Sequence, residues 1–142
     1  MVEYTGGCAC RAVRFKITAE PAGVRYCMCR GCQYLGAGSG TVGAAFPLSA
    51  VTMTGETSDF ANTADSGTQM HRRFCSACGT PLFSQAESRP GTIIIRVGAM
   101  DDPDAFVPTS IIWTKSAPKW ICLDEGLTMV EGQPVSPVSS NP

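Results

Sequence analysis

A chain of 142 residues and 15.0 kDa is near the usual size of one domain, large enough for a core of its own and small enough to gain from metal staples. Its formal charge is -1, its Arg and Lys are scattered with only Arg72 and Arg73 adjacent, and no apolar run approaches the length of a membrane span. Nucleic acid and membrane are therefore not expected partners. The opening Met-Val-Glu-Tyr-Thr has neither the basic nor the apolar region of a secretory signal, which predicts a reducing, cytoplasmic setting.

Taken in chain order, the first chemical feature is Cys8-Ala-Cys10. On an extended strand residues i and i+2 share a face, so this pair can present two thiolates side by side. It feeds into residues 12–18, where Val13, Phe15 and Ile17 alternate with Arg14, Lys16 and Thr18, the pattern of a half-buried strand. A strand at 23–26 leads to Cys27-Met-Cys29-Arg-Gly-Cys32 and then the small-residue run Gly36-Ala-Gly-Ser-Gly40. Further strands are predicted at 40–46, 50–54, 69–74, 92–97, 111–114 and 127–130, each bounded by Gly, Pro, Asp or Ser. Between them stand Cys75-Ser-Ala-Cys78-Gly79 and the turn Asp101-Asp102-Pro103. No long segment holds a helical period, so helix is limited to short turns after Cys29 and around 102–106. The expected fold is all-β and mainly antiparallel, one zinc-stapled domain over 1–132. The Pro- and Ser-rich 133–142 reads as a flexible tail.

Seven of the eight cysteines fall in these three clusters, which is metal-ligand spacing. A disulfide framework is the alternative, disfavoured by a reducing compartment. Cys75 and Cys78 form a CxxC knuckle whose Gly79 supplies a permissive backbone. Four plus three is the natural division: Cys8, Cys10, Cys75 and Cys78 close one structural site, and Cys27, Cys29 and Cys32 hold a second metal with a position left open. Two other arrangements compete. Cys122 or His71 closes the second site, or the triplet closes with one sulfur of the Cys75 pair. Seven metal-bound thiolates with two zinc ions would take the net charge to about -4. Cys122, in the apolar run Trp-Ile-Cys-Leu, is expected to be a small buried hydrophobe.

The segments GGCACRAVRFKI, YCMCRGCQYLGAGSG and RFCSACGTPLF, and more weakly VGAMDDPDAFVPTSIIWTKSAPKW, resemble the glutathione-dependent formaldehyde-activating enzyme family, also called the centromere protein V family. The resemblance covers most of the chain. It implies an Mss4-like fold with a structural zinc on Cys8, Cys10, Cys75 and Cys78 and a catalytic zinc on Cys27, Cys29 and Cys32, with glutathione as co-substrate. Where the family often has His between the first two cysteines of the triplet, this chain has Met28, which can neither donate a hydrogen bond nor carry a proton.

Zinc held by three cysteines suits thiolate exchange, because the ion is borderline soft. The resemblance supplies the reactants, a small thiol and an aldehyde such as formaldehyde, joined or parted in a carbon-sulfur lyase reaction. The carboxylates of glutathione call for cations, and Arg30, inside the triplet, is the first candidate. Ser39 is a hydroxyl donor in the small-residue run that follows, whose other reading is a connector. His71, the sole histidine, has the pKa for proton transfer, yet four residues before Cys75 it reads more simply as an ordinary strand histidine. Trp113 and Trp120 are read as core, with a pocket wall as the alternative. Asp101 and Asp102 read as turn chemistry rather than paired acids. Beside the enzyme stand two noncatalytic readings: a zinc-stabilised module binding glutathione or a protein, and a metal or redox buffer.

Overall fold

The alternating segment at 12–18 becomes β2 (Arg14–Ile17), the middle strand of a three-stranded antiparallel sheet between β1 (Tyr4–Gly7) and β5 (Val51–Thr54) in the computed structural model, which describes residues 1–134. Val13, Phe15 and Ile17 are buried and meet Ala44, Phe46, Ile93 and Ile95 from the second sheet in one core cluster. The alternation thus does what it predicts: one face of β2 is removed from water and the other carries Arg14 and Lys16.

The second sheet has eight strands. From one edge they run β11 (Thr128–Met129), β10 (Ser110–Ile112), β3 (Gly23–Cys27), β4 (Thr41–Pro47), β9 (Thr92–Arg96), β8 (Pro81–Ala86), β7 (Gln69–Cys75) and β6 (Thr57–Thr63). Pairing is antiparallel from β3 to β6, but β10 runs parallel to both β3 and β11. The described helix is limited to α1 (Arg30–Leu35) and single 3-10 turns, including Pro103–Ala105, where Asp102 caps the turn by accepting from the Asp104 N–H. No described helix is long and apolar enough to cross a membrane.

Three strands lie outside the sequence expectation. The segment in β1, Tyr-Thr-Gly-Gly, offers little to bury, and β6, Thr-Ser-Asp-Phe-Ala-Asn-Thr, is a mostly exposed edge without apolar alternation. In β8 the buried residues are Leu82, Ser84 and Ala86, so apolar character does not alternate. The pairing shifts between Arg73, opposite Phe83, and Phe74, opposite Pro81, leaving Leu82 as the extra residue of a bulge. Leu82 joins the core and Phe83 packs against it. The predicted tail lies outside the described residues from 135 onward; Gln133, which accepts from Trp113 Nε1 at 2.9 Å, is held at the sheet.

The eight-stranded sheet therefore has two different faces. Val24, Ala44, Phe46, Ile93 and Ile95 point into the core, and Arg25, Gly43, Ile94 and Arg96 beside them line a cavity on the other face.

Candidate functional site

The first cysteine cluster staples the two sheets. Cys8, Cys10, Cys75 and Cys78 bring their sulfur atoms within 4.8 Å of one another, with Cys8 to Cys10 at 3.5 Å and Cys10 to Cys75 at 3.8 Å. Four sulfurs about 2.3 Å from a zinc ion make a tetrahedron with edges of about 3.8 Å, so the set fits zinc. It does not fit disulfides, whose sulfurs lie about 2.05 Å apart, and all eight cysteines are free. Cys8 and Cys10 sit in a turn after β1 rather than on an extended strand: Arg11 N–H donates to Cys8 O at 3.1 Å, and Arg11 takes a φ of 68°. A turn, not strand alternation, brings the pair together. Backbone amides then point at sulfur, Val13 at Cys8 (3.2 Å) and Ala77 and Cys78 at Cys75 (3.3 and 3.5 Å). Gly79, at φ 79°, turns the chain after the knuckle. The Thr80 hydroxyl, 3.1 Å from Cys78 Sγ, leads the interactions that hold the Cys78 thiol down to about 5, so this sulfur is anionic and ready for metal at neutral pH.

The second cluster is Cys27, at the end of β3, with Cys29 and Cys32 around the start of α1, again within 4.8 Å. Cys29 caps the helix, its sulfur accepting from Cys32 N–H at 3.4 Å. A set of three thiolates fits zinc with one position open. Among the described residues no fourth Cys, His, Asp or Glu joins it. Cys122 is exposed, in an irregular stretch beside the exposed Trp120, and not the buried hydrophobe its apolar run predicts. The Cys27 thiol is pushed far up by hydrogen bonding with Cys29 and Cys32, and Cys32 is held far down by hydrogen bonds from Cys27 and then Cys29, with Arg96 adding through its charge.

The trio stands in an open cavity. Its floor is the other face of the sheet, read at every second residue: Arg25 and Cys27 on β3, Thr41 and Gly43 on β4, Ile94 and Arg96 on β9, Ser84 and Ala86 on β8, Met70 and Arg72 on β7. The register sets Arg25 opposite Gly43 and Gly43 opposite Arg96. A Cβ on Gly43 would come within 3.4 Å of Arg96 Nη1 and 2.6 Å of Ile94 Cγ2, so the missing side chain leaves room for the guanidinium. Arg96 donates to Ser84 Oγ at 2.9 Å and Thr41 Oγ1 at 3.3 Å. Arg72 is buried, donates to Asn62 Oδ1, and has no partner for its Nε. Arg89 also lines the cavity. Burial first, then the charge of Arg89, lowers Arg25 to about 10, which leaves it cationic at neutral pH.

The walls come from the β6–β7 turn and from the chain after β10. Asp65 on that turn accepts from the Arg30 backbone N–H at 3.1 Å, tying the turn to α1. Trp113 lines the opposite side with a left-handed backbone, φ 60° and ψ 37°, a conformation that costs a bulky residue about 1–3 kcal/mol. Trp120 is 73% exposed; neither tryptophan belongs to the core.

The other residues singled out from sequence lie elsewhere. Arg30 is exposed on α1, over the Tyr34 ring at 4.9 Å and bonded to Gln33 Oε1, and does not line the cavity. Ser39 meets the Tyr26 hydroxyl through its carbonyl (2.6 Å) and Oγ (2.8 Å) and is also outside it. Gly40, at φ 85°, passes so close to β3 that a Cβ would lie 2.4 Å from Cys27 O; this stretch is a packed connector. His71 points away from the cavity, between Asp59 and Glu87, each at 2.7 Å. Met28 is fully buried. The cavity arginines are what sequence reasoning missed. Arg25 had a signal, two residues before Cys27 on a predicted strand and so on the same face; Arg72, Arg89 and Arg96 become neighbours only through the strand order.

Residues 3–116 match the family described as glutathione-dependent formaldehyde-activating enzyme. A crystal structure of a Rhodobacter sphaeroides protein is similar at 24% identity and a TM-score of 0.55, over 71% of this chain and 93% of that one, a likeness that shows the fold. Among curated proteins none matches the sequence. With the match spanning both cysteine clusters and most of the two sheets, the chain belongs to the glutathione-dependent formaldehyde-activating enzyme family.

Proposed function

We propose that the protein is a zinc-dependent carbon-sulfur lyase of the S-(hydroxymethyl)glutathione synthase type, forming or cleaving S-hydroxyalkyl adducts of glutathione, or another small thiol, with formaldehyde or a related aldehyde, in the cytoplasm. One observation carries this reading: three cysteines converge in an open cavity with no fourth ligand from the described residues. A purely structural site would be closed by four.

In this reading Cys8, Cys10, Cys75 and Cys78 hold a structural zinc and Cys27, Cys29 and Cys32 a catalytic one. Bound by the trio, zinc supplies Lewis acidity at the position the protein leaves free. The chain's own residues do the rest. Arg25 and Arg89, which line the same cavity, receive the carboxylates of the thiol, since a planar guanidinium matches a carboxylate with two parallel hydrogen bonds. Asp65, on the turn above, faces the same space and suits an ammonium group. The two reactants are held together, which removes much of the entropic cost of their meeting. In the forward direction a sulfur-carbon bond forms, the carbonyl π bond opens, and the proton of the thiol ends on the carbonyl oxygen.

The test is two-dimensional exchange NMR of formaldehyde and glutathione with protein carrying two zinc ions. Faster adduct exchange that disappears in Cys32→Ala is the expected result. Exchange at the buffer rate, with both metals present, would leave a noncatalytic zinc module in its place.

A further inference from the structure

Two of the cavity's guanidiniums crowd the cysteine trio without an acid to answer them. Arg72 lays Nη2 against the first turn of α1, between Cys29 and Cys32: a Cβ on Gly31 would sit 3.1 Å from that nitrogen. Arg96 lines the same cavity as Arg72 and the three cysteines, with Nη1 donating to Thr41 Oγ1 at 3.3 Å. All their hydrogen-bond acceptors are neutral oxygens, those of Asn62, Thr41 and Ser84, and among the described residues neither has a carboxylate partner. Arg72 Nε is buried with nothing to bond, and an unsatisfied buried donor costs about 1–3 kcal/mol. Buried cations persist where something pairs with them.

Three thiolates around a divalent ion carry one net negative charge, and two guanidiniums outnumber it. One further anionic group beside the trio balances the set. The carboxylates of glutathione lie at the two ends of the tripeptide, away from its sulfur, and formaldehyde has no charge. We propose that Arg72 and Arg96 form a carboxylate subsite for the electrophile, so that the preferred aldehyde is a short 2-oxo acid of the glyoxylate class, with its acid group next to the reacting carbon. The proposal rests on the thiol-and-aldehyde reading above. The step balances as before: the sulfur-carbon bond forms, the aldehyde oxygen takes the thiol proton, and the product is a 2-hydroxy-2-thio acid whose carboxylate is unchanged. The planar acid can accept from N–H groups of both guanidiniums, each of which lines the cavity.

The experiment compares glyoxylate with propanal, an uncharged aldehyde, in glutathione exchange on protein with two zinc ions. In parallel, oxamate, an unreactive analogue of a 2-oxo acid, is titrated against tryptophan fluorescence, to which Trp113 and Trp120 both contribute, and the Arg side-chain NMR signals. The expected results are at least tenfold faster exchange for glyoxylate relative to propanal, and oxamate binding that moves the Arg72 Nε–H signal. In Arg72→Met and Arg96→Met the exchange ratio should fall at least tenfold and oxamate affinity with it, and Arg72→Lys should recover part of both. Turnover of propanal equal to or faster than glyoxylate overturns the subsite and leaves the enzyme reading standing. If no aldehyde exchanges, the enzyme reading fails, and oxamate that does not bind then overturns the subsite as well. The wild-type comparison needs no variant, so a variant that fails to fold does not remove the test.

Discussion

Gln33 donates from Nε2 to two carbonyl oxygens at once, Met28 O and Ser116 O, each at 2.8 Å, and so ties the loop carrying the cysteine trio to the segment after Trp113. Both carbonyls lose a donor if the amide is removed. Gln33→Leu, close in size and without hydrogen-bonding capacity, should cost about 1–3 kcal/mol, read as a lower urea midpoint with an unchanged m-value. A midpoint within error of the wild type would mean that water replaces the amide.

The four-cysteine site joins positions 65 apart in the chain, Cys10 and Cys75. Because a structural zinc contributes its binding energy to folding, Cys75→Ser should reduce the metal content from two zinc ions to one and lower the melting temperature by more than about 10 °C, several kcal/mol in a domain of this size. Metal analysis and calorimetry on the same sample check it. Retention of two ions would show that Cys75 is not a ligand.

His71 bridges β6 and the end of β8 through Asp59 and Glu87. Hydrogen bonds to both acids require N–H on both ring nitrogens, and the pair, Asp59 first, raises the pKa of His71. A raised folded-state value gives stability that is fully present below the unfolded pKa of about 6.5 and is lost as pH rises through the folded value. Relative to His71→Gln, the wild type should therefore have its advantage at pH 6 and lose it by pH 9, measured by urea unfolding. A histidine NMR titration at or below the ordinary value would contradict this.

Gly43 keeps the cavity floor open below Arg96. Gly43→Ala puts a carbon 2.6 Å from Ile94 Cγ2, which forces movement costing about 1–3 kcal/mol, and it presses on the Arg96 guanidinium at 3.4 Å. Weaker binding of oxamate by calorimetry together with a lower melting temperature is expected. A loss of stability with unchanged oxamate affinity would place Arg96 outside the carboxylate subsite.

Much of this was legible from residue spacing. The apolar alternation of Val13, Phe15 and Ile17 marks a strand because its core is made of large hydrophobes, and Cys75-Ser-Ala-Cys78-Gly79 marks a knuckle because local geometry alone makes it. β6 and β8 were hidden, one because an exposed edge carries no apolar signal, the other because Ser84 and Ala86 are buried on a cavity face that needs no hydrophobes. Arg30 and Ser39 show the limit of nearness in sequence. Arg30 is one residue from Cys29, yet the first turn of α1 carries it outward, whereas Arg72 and Arg96, 40 and 64 residues beyond Cys32, come to the trio across the sheet.

On β9, Ile93 and Ile95 face the core while Ile94 and Arg96 face the cavity, and β3 and β4 divide in the same way. A strand has a period of two, so the two tasks never share a position. Substitutions at 25, 43, 72 or 96 can recut what the cavity accepts while the residues between them keep the sheet packed. A one-residue insertion or deletion within β9 that no bulge absorbed would exchange its two faces, placing the Arg96 guanidinium in the core and a core isoleucine over the cavity. Divergence of specificity in this fold is therefore open to point substitution, whereas an extra residue within a strand needs a bulge to absorb it, as Leu82 has in β8.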